Sequence, residues 1–527
     1  MYWADKIAKQ IIESGKYKSN LSLRGKPYWV DDMKTPSGFA HVGSLRGPII
    51  HSLIFRALKD AGVKAKFTFV INDFDPADEL PPEFKKELKE YLGFPLRKVP
   101  SPEKVFDSLG GLLAGDFVKT FQSLGVEAEI LSSWDMYHEG KFDVVIKEAL
   151  DNAVRIQDIY KKVSGSQKKE KGWFPFEAIC EKCGKIGTTH TFAWNGKEVS
   201  YKCEPEMVVW ARGCGYEGRT SPFGGTGKLP WKVDWAAHWK VMGVTVEGAG
   251  KDHASAGGSY DIAMALCKEV FHYPQPYKLP YEFFLIGGKK MSSSKGLGLK
   301  AHDIIKILPP EIARFLFART DYREAIDFEP VGTAVIPDLF DEFDKARQAY
   351  IKGSEEELAR AFVLAQIKDL PPKKEVFLPR FREVAQTIQM PNVDINEYFK
   401  NKKCQDLTNE ENEILAERIK YAKIWVEEFA PDDAKFQIAS SVRSAKTRRI
   451  LPASFYQKLS VLIESVSSPE ELEKKLYQLI KEQNLSPKTA FGGIYSIMIG
   501  KNYGPKAAWF IWENKEKAIK LFRGMAK

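Results

Sequence analysis

No stretch of the 527 residues stays apolar for the ~20 positions needed to span a bilayer, which argues against an integral membrane protein. The first fifteen residues mix charges into an amphipathic helical pattern, so they read as part of a fold and not as a secretory leader. Cysteine is scarce: six in a chain of this length cannot make a disulfide framework. Neither sign of charge dominates, since 79 basic residues face 70 acidic ones for a net +9. That balance suits a polyanionic partner and equally a mixed solvated surface, so charge alone does not imply RNA binding. What remains is the expectation of a cytoplasmic globular chain of three or four domains, with 44% hydrophobic residues to build their cores.

The few cysteines are concentrated. Cys180, Cys183, Cys203 and Cys214 share one segment, while Cys267 and Cys404 stand apart. The two-residue gap between Cys180 and Cys183, backed by Gly184, lets both thiolates reach one tetrahedral ion, and Cys214-Gly215 offers a second glycine-backed turn. Ten residues separate Cys203 from Cys214, so the ribbon is expanded, and His190 stands as an alternative ligand. Four thiolates would close the site, making it a structural Zn²⁺ site; the competing reading is free thiols in a small β-rich insertion. Nearby Gly224-Gly225-Thr226-Gly227-Lys228 is not a phosphate-binding P-loop, because Pro222 replaces the first glycine and Leu229 replaces the hydroxyl residue after the lysine.

Two short motifs carry the chemistry. The first is Thr35-Pro36-Ser37-Gly38-Phe39-Ala40-His41-Val42-Gly43-Ser44, between an extended apolar run (27–30) and a segment of helical periodicity (48–62). A strand-to-helix turn presents unpaired N–H groups to an anion, Gly38 and Gly43 permit close approach of a nucleotide, and His41 can donate to a phosphate oxygen. Alone, the motif equally describes a turn whose histidine caps a helix. The second is Lys290-Met291-Ser292-Ser293-Ser294-Lys295-Gly296, after an apolar run (281–286). Two ammonium groups there can neutralise the β- and γ-phosphates of ATP while Ser292 and Ser294 add hydrogen bonds. Its competing reading is a solvated basic loop.

Between the motifs, extended and helical segments alternate: 66–72 extended, 116–124 helical, 127–132 extended, then one long helix to about 162. This predicts an α/β fold with a mostly parallel sheet, whose ligands bind beyond the strand carboxyl ends. Asp73, Asp75 and Asp252 would emerge there to hold ribose hydroxyls, an amine or Mg²⁺, with helix capping the alternative for Asp75 before Pro76. From about residue 309 the pattern turns all-helical, with helices expected over 311–319, 339–351, 409–429 and 468–482 and no convincing strand. Arg443, Lys446, Arg448 and Arg449 form a basic run, and Tyr495, Tyr503, Trp509, Phe510 and Trp512 an aromatic tail suited to unstacked RNA bases, although most of these rings are expected in the core.

Over nearly its whole length the chain resembles the class I lysyl-tRNA synthetases. The resemblance rests on the two motifs, on Trp231-Lys232-Val233-Asp234-Trp235, Ala249-Gly250-Lys251-Asp252-His253 with Gly258-Ser259-Tyr260-Asp261, Ala313-Arg314-Phe315-Leu316-Phe317-Ala318-Arg319 and Leu339-Phe340-Asp341-Glu342-Phe343-Asp344-Lys345, and on residues 498–506. It implies a Rossmann catalytic domain (1–308) with a zinc-binding insertion (163–228), a stem-contact region (309–355) and an α-helical anticodon-binding domain (356–527). It further implies His41, Ser44, Lys290 and Lys295 as catalytic residues, and Pro36, Gly38, His41, Gly43, Gly250, Asp252, Met291, Ser292 and Ser294 around ATP. Thr35, Trp231, His253 and Tyr281 would hold L-lysine, aromatic faces suiting an ammonium and its methylene stem. The implied reaction makes lysyl-adenylate from lysine and ATP with Mg²⁺, then charges tRNA(Lys), in a monomer. Met33 departs from the family, which has glycine two residues before the pocket threonine. The alternatives are a class I synthetase for another amino acid and a non-catalytic tRNA-binding relative.

Overall fold

A computed structural model describes residues 1–19, 23–165, 172–291, 298–390, 393–436, 442, 445, 448–504 and 506–526. The chain forms two compact units, one of residues 1–328 with 346–373, the other of 329–345 with 374–527.

The first unit is built on strands whose β-branched and aromatic runs match the extended segments expected. These begin with β1 (Tyr28–Lys34), β2 (Ala65–Ile71) and β3 (Glu129–Ser132). Five short strands follow in the cysteine-bearing segment: β4 (Glu177–Ala178), β5 (Thr189–Trp194), β6 (Val199–Cys203), β7 (Glu217–Thr220) and β8 (Gly227–Lys228). The chain then returns as β9 (Val246–Gly250) and β10 (Tyr277–Tyr281). β10, β9, β1, β2 and β3 lie side by side in that order, every pair parallel. This is the nucleotide-binding order of a Rossmann half-sheet, and the order reverses between β1 and β9, where a crevice opens at the strand carboxyl ends. β4 and β8 form a two-stranded ladder, and β5, β6 and β7 a three-stranded antiparallel sheet.

The helix Arg46–Asp60 packs Ile49, Ile50, Leu53, Ile54 and Leu58 in the core beside the sheet. The single long helix expected up to residue 162 is instead three, Ser133–His138, Asp143–Asp151 and Ala153–Ser164. Gly140, at φ +73°, and Asn152, outside helical geometry, break an apolar period that runs through both. A small sheet of β11 (Phe284–Ile286), β12 (Lys289–Lys290) and β13 (Ile326–Asp327) follows, β13 being a strand inside the half read as all-helical.

The second unit is helical throughout its described residues. Helices Asn409–Ile424, Pro469–Glu482 and Pro487–Ile499 start on Thr408, Ser468 and Ser486, each of whose hydroxyls accepts a backbone N–H of the first turn. Thr408 and Glu411 complete a reciprocal capping box. Tyr495 and Phe510 belong to its core, and Trp509 and Trp512 pack on it, as expected for most of the tail rings; Tyr503 is 51% exposed. Arg443, Lys446 and Pro505 lie outside the described residues.

Candidate active site

The crevice at the switch point is a cavity of about 720 Å³. β1 ends in it with Met33, Lys34 and Thr35, β9 with Gly250, and β10 with Tyr281. The first motif follows β1 directly. His41 precedes a short 3-10 turn, Val42–Leu45, that runs into the helix Arg46–Asp60. The segment after the second motif docks on it: the Val42 N–H donates to the Leu299 carbonyl at 2.8 Å and the Ala301 N–H to the Ala40 carbonyl at 2.7 Å. The first motif and the segment that follows the second, some two hundred and fifty positions apart, are thereby held together. Gly43 leaves room for the side chains packed on this turn: a Cβ there would stand 3.0 Å from the Met291 methyl and 3.0 Å from the His41 Nδ1.

His41, Gly43, Ser44, Lys290 and Met291 all line the cavity, as do Gly250 and Asp252. Pro36 and Gly38 belong to the same loop but not to its lining. Ser292, Ser294 and Lys295 lie outside the described residues. The Lys290 ammonium sits 3.4 Å from the centroid of the Phe283 ring. Burial and the Lys34 ammonium push the His41 pKa down to about 4, against the pull of Asp252, so the imidazole is neutral at physiological pH and acts as a hydrogen-bonding group.

Opposite the motifs stands an aromatic wall. The Trp231 ring meets His253 edge to face at 5.3 Å and stacks on Trp235 at 5.8 Å, and Thr35 and Tyr281 face the same space. The four residues assigned to lysine by resemblance therefore share one cavity with the nucleotide motifs.

Several residues of this cavity escaped the sequence reading. Glu247, on β9, is buried and accepts the Trp235 indole N–H at 2.7 Å and that of Trp239. Burial and the nearby Asp31 carboxylate raise its pKa well above the usual range. Asp32 lies on the other face of the sheet, its pKa raised by burial to about 6 against the opposing pull of His51. His51 accepts the Gly248 N–H on Nε2 at 2.7 Å and so donates from Nδ1 to the Gly47 carbonyl, also at 2.7 Å. Lys34 is lowered by burial. Alternation on a strand hints that one of Asp31 and Asp32 faces inward; both do, each on its own side of the sheet.

The aspartates divide. Asp252 reaches the cavity mouth and is exposed. Asp75 is no helix cap: it accepts the Thr35 hydroxyl at 2.5 Å and pairs with the Lys228 ammonium. Asp73 is turned away from the crevice, accepting from Ser132 at 2.9 Å and from the Trp134 N–H at 3.0 Å, and does not line the cavity. It fixes the start of the Ser133–His138 helix and is not available to a ligand.

The cysteines converge as their spacing implies. All four sulfurs lie within 4.8 Å of one another, with Cys180 and Cys214 3.6 Å apart and Cys183 and Cys203 3.7 Å apart. Gly184 and Gly215 take φ of +75° and +77°, making the two turns. Four soft donors so grouped fit one tetrahedral ion. His190 is not among them; it lies on β5 across from Lys202.

A parallel sheet in Rossmann order, with a histidine turn and a lysine loop meeting at its switch point, defines the catalytic domain of a class I aminoacyl-tRNA synthetase. Residues 1–368 match the model of the family described as tRNA synthetases class I (K), and the chain belongs to that family. It is 33% identical over 517 residues to the lysine–tRNA ligase of Archaeoglobus fulgidus, covering 97% of each chain. Identity to that of Methanosphaera stadtmanae is 29% over 546 residues, 99% of each. To that of Methanocaldococcus jannaschii it is 32% over 538 residues, 97% of each.

Proposed function

We propose that this protein ligates L-lysine to tRNA(Lys) at the expense of ATP, through a lysyl-adenylate. The observation that carries the reading is the single cavity in which His41, Lys290, Thr35, Trp231, His253 and Tyr281 meet. The lysine carboxylate attacks the α-phosphate, pyrophosphate leaves, and the terminal ribose of tRNA then takes the aminoacyl group. No protein nucleophile is needed: catalysis is positioning and charge stabilisation. The neutral His41 imidazole donates to phosphate, Ser44 adds a hydroxyl, and Lys290 and Lys295 offset the charge accumulating on the β- and γ-phosphates. Gly250 and Asp252 face the nucleoside, while Pro36, Gly38, Gly43, Met291, Ser292 and Ser294 shape the phosphate path. Mg²⁺ supplies charge neutralisation to the leaving pyrophosphate.

Trp231, His253 and Tyr281 enclose the methylene stem of lysine, and Thr35 meets its polar end. Cys180, Cys183, Cys203 and Cys214 hold a structural Zn²⁺, with no open position for chemistry. Residues 309–355 contact the acceptor stem and 356–527 the anticodon. The enzyme works as a cytoplasmic monomer. No helix among the described residues is long and apolar enough to cross a membrane.

The test is tRNA charging with purified protein, ATP, Mg²⁺ and a full set of labelled amino acids, with and without tRNA, alongside Lys290→Ala and Lys295→Ala. Lysine is expected on tRNA, and the two variants are expected to lose it. Charging by another amino acid overturns the lysine pocket, and RNA binding without charging overturns the catalytic reading.

A further inference from the structure

The Gly-rich segment that fails as a P-loop has a different use. β8, Gly227–Lys228, pairs antiparallel with β4 so that Lys228 lies opposite Glu177, one turn of chain before the first cysteine. Gly227 permits that approach, since a Cβ there would lie 2.3 Å from the Glu177 carbonyl oxygen. Lys228 is then 1% exposed, its ammonium paired with Asp75 and, at 3.3 Å, with Asp234. The second oxygen of Asp75 accepts the Thr35 hydroxyl. Asp234 also accepts the Tyr137 hydroxyl, and it lies in the first turn of the helix that opens with Trp231. One buried cation thus ties together two carboxylates, each adjoining a residue assigned to the substrate side chain.

We infer that Lys228 is a positioning residue for amino-acid recognition: through Asp75 it fixes the Thr35 hydroxyl, and through Asp234 the end of the helix that bears Trp231. The inference rests on the lysine-pocket reading above. Two largely buried carboxylates that share one ammonium repel each other once it is removed. Thr35 and Trp231 would then move apart or rotate, while the turn at His41, held by the Val42–Leu299 and Ala301–Ala40 backbone bonds, would not. The same pairing occupies Asp75, so a substrate ammonium entering the cavity is not drawn to it.

The experiment is steady-state tRNA charging by wild type, Lys228→Met, Lys228→Arg and Asp75→Ala, with thermal melting of each. Lys228→Met is expected to raise KM for lysine about tenfold or more while KM for ATP stays within about twofold, and Lys228→Arg to recover part of the loss. Should Lys228→Met fail to fold, Asp75→Ala carries the same test, because it removes the acceptor of the Thr35 hydroxyl and leaves the Lys228–Asp234 pair. A cycle with Thr35→Val supplies the second readout: if Asp75 acts through Thr35, the two changes together cost no more than the larger one. A fall in apparent kcat that tracks lost folded protein with both KM values unchanged, KM values for lysine and ATP that rise together, or strict additivity in the cycle overturns the inference. A wild-type enzyme that does not charge lysine overturns the functional reading instead, which the same assay reports separately.

Discussion

His41 and Asp32 are driven in opposite directions by one cavity. Burial disfavours the charged form of each, which lowers the histidine to about 4 and raises the aspartate to about 6. The stability consequences therefore have opposite signs. The depressed His41 favours folding above the histidine's unfolded value near 6.5, and that contribution is lost as pH falls through about 4. The raised Asp32 favours folding below the carboxylate's unfolded value near 3.8, and its contribution is lost as pH rises through about 6. Asp32→Asn should accordingly raise the melting temperature over wild type at pH 7.5 and hardly change it at pH 4, the difference corresponding to up to about 3 kcal/mol. An equal effect at both pH values would show that the carboxylate is not held against ionisation. For catalysis, His41→Ala is expected to lower kcat by roughly 10²–10³-fold with little change in KM for lysine, the size seen when one donor to a developing anion is removed. Single-turnover adenylate formation measures this directly, and a loss confined to KM would remove His41 from the transition state.

At the scale of elements, the main strands and the Arg46–Asp60 helix were legible because each is a local apolar pattern. So were the two motifs and the cysteine spacing, which depend on chain-neighbour geometry. The Asp75–Lys228 pair was not, since its partners are 153 positions apart and the two-residue strands β4 and β8 leave no periodic signal. Asp73 was misplaced for a similar reason. Its sequence neighbours put it at a strand end, while Ser132 and the Trp134 N–H, from β3 and the helix after it, turn it inward. The three helices read as one show the converse failure, where an apolar face persists through Gly140 and Asn152 although the backbone does not. The cysteine-bearing strands lend themselves to a test at this scale. Because β5, β6 and β7 are short and their core is small, four thiolates around one ion should dominate their stability. Elemental analysis is expected to find about one zinc per wild-type chain and none in Cys183→Ser, with a lower melting temperature for the variant. Four titratable thiols and no zinc in the native wild type would return the segment to free cysteines.

For the whole molecule, the decisive feature is that the first unit is not contiguous: it needs residues 346–373 as well as 1–328. The reason is visible at Arg314, which is fully buried among the core of that unit. Its guanidinium donates to the Leu364 carbonyl at 2.8 Å, to the Leu124 carbonyl at 2.9 Å and to the Ser52 hydroxyl at 2.9 Å. Arg360, from the same returning segment, pairs with Asp5 at 2.9 Å and Asp60 at 2.7 Å, and Arg56 donates to the Gln366 carbonyl at 2.6 Å. Phe362 and Leu364 fill the space between, both buried. A cut after residue 328 would take one of its three acceptors from Arg314 and expose those apolar contacts, a cost of roughly 1.5–3 kcal/mol from the lost charged hydrogen bond alone. That is a large part of the margin by which a domain is stable. A fragment of residues 1–328 is therefore expected to be insoluble or molten, whereas 1–373 should melt cooperatively and still bind ATP. Expression of both, followed by circular dichroism and ATP-dependent thermal shift, decides it. If 1–328 folds as well as 1–373, the returning segment is an accessory and the catalytic unit ends where the sequence pattern alone would have ended it.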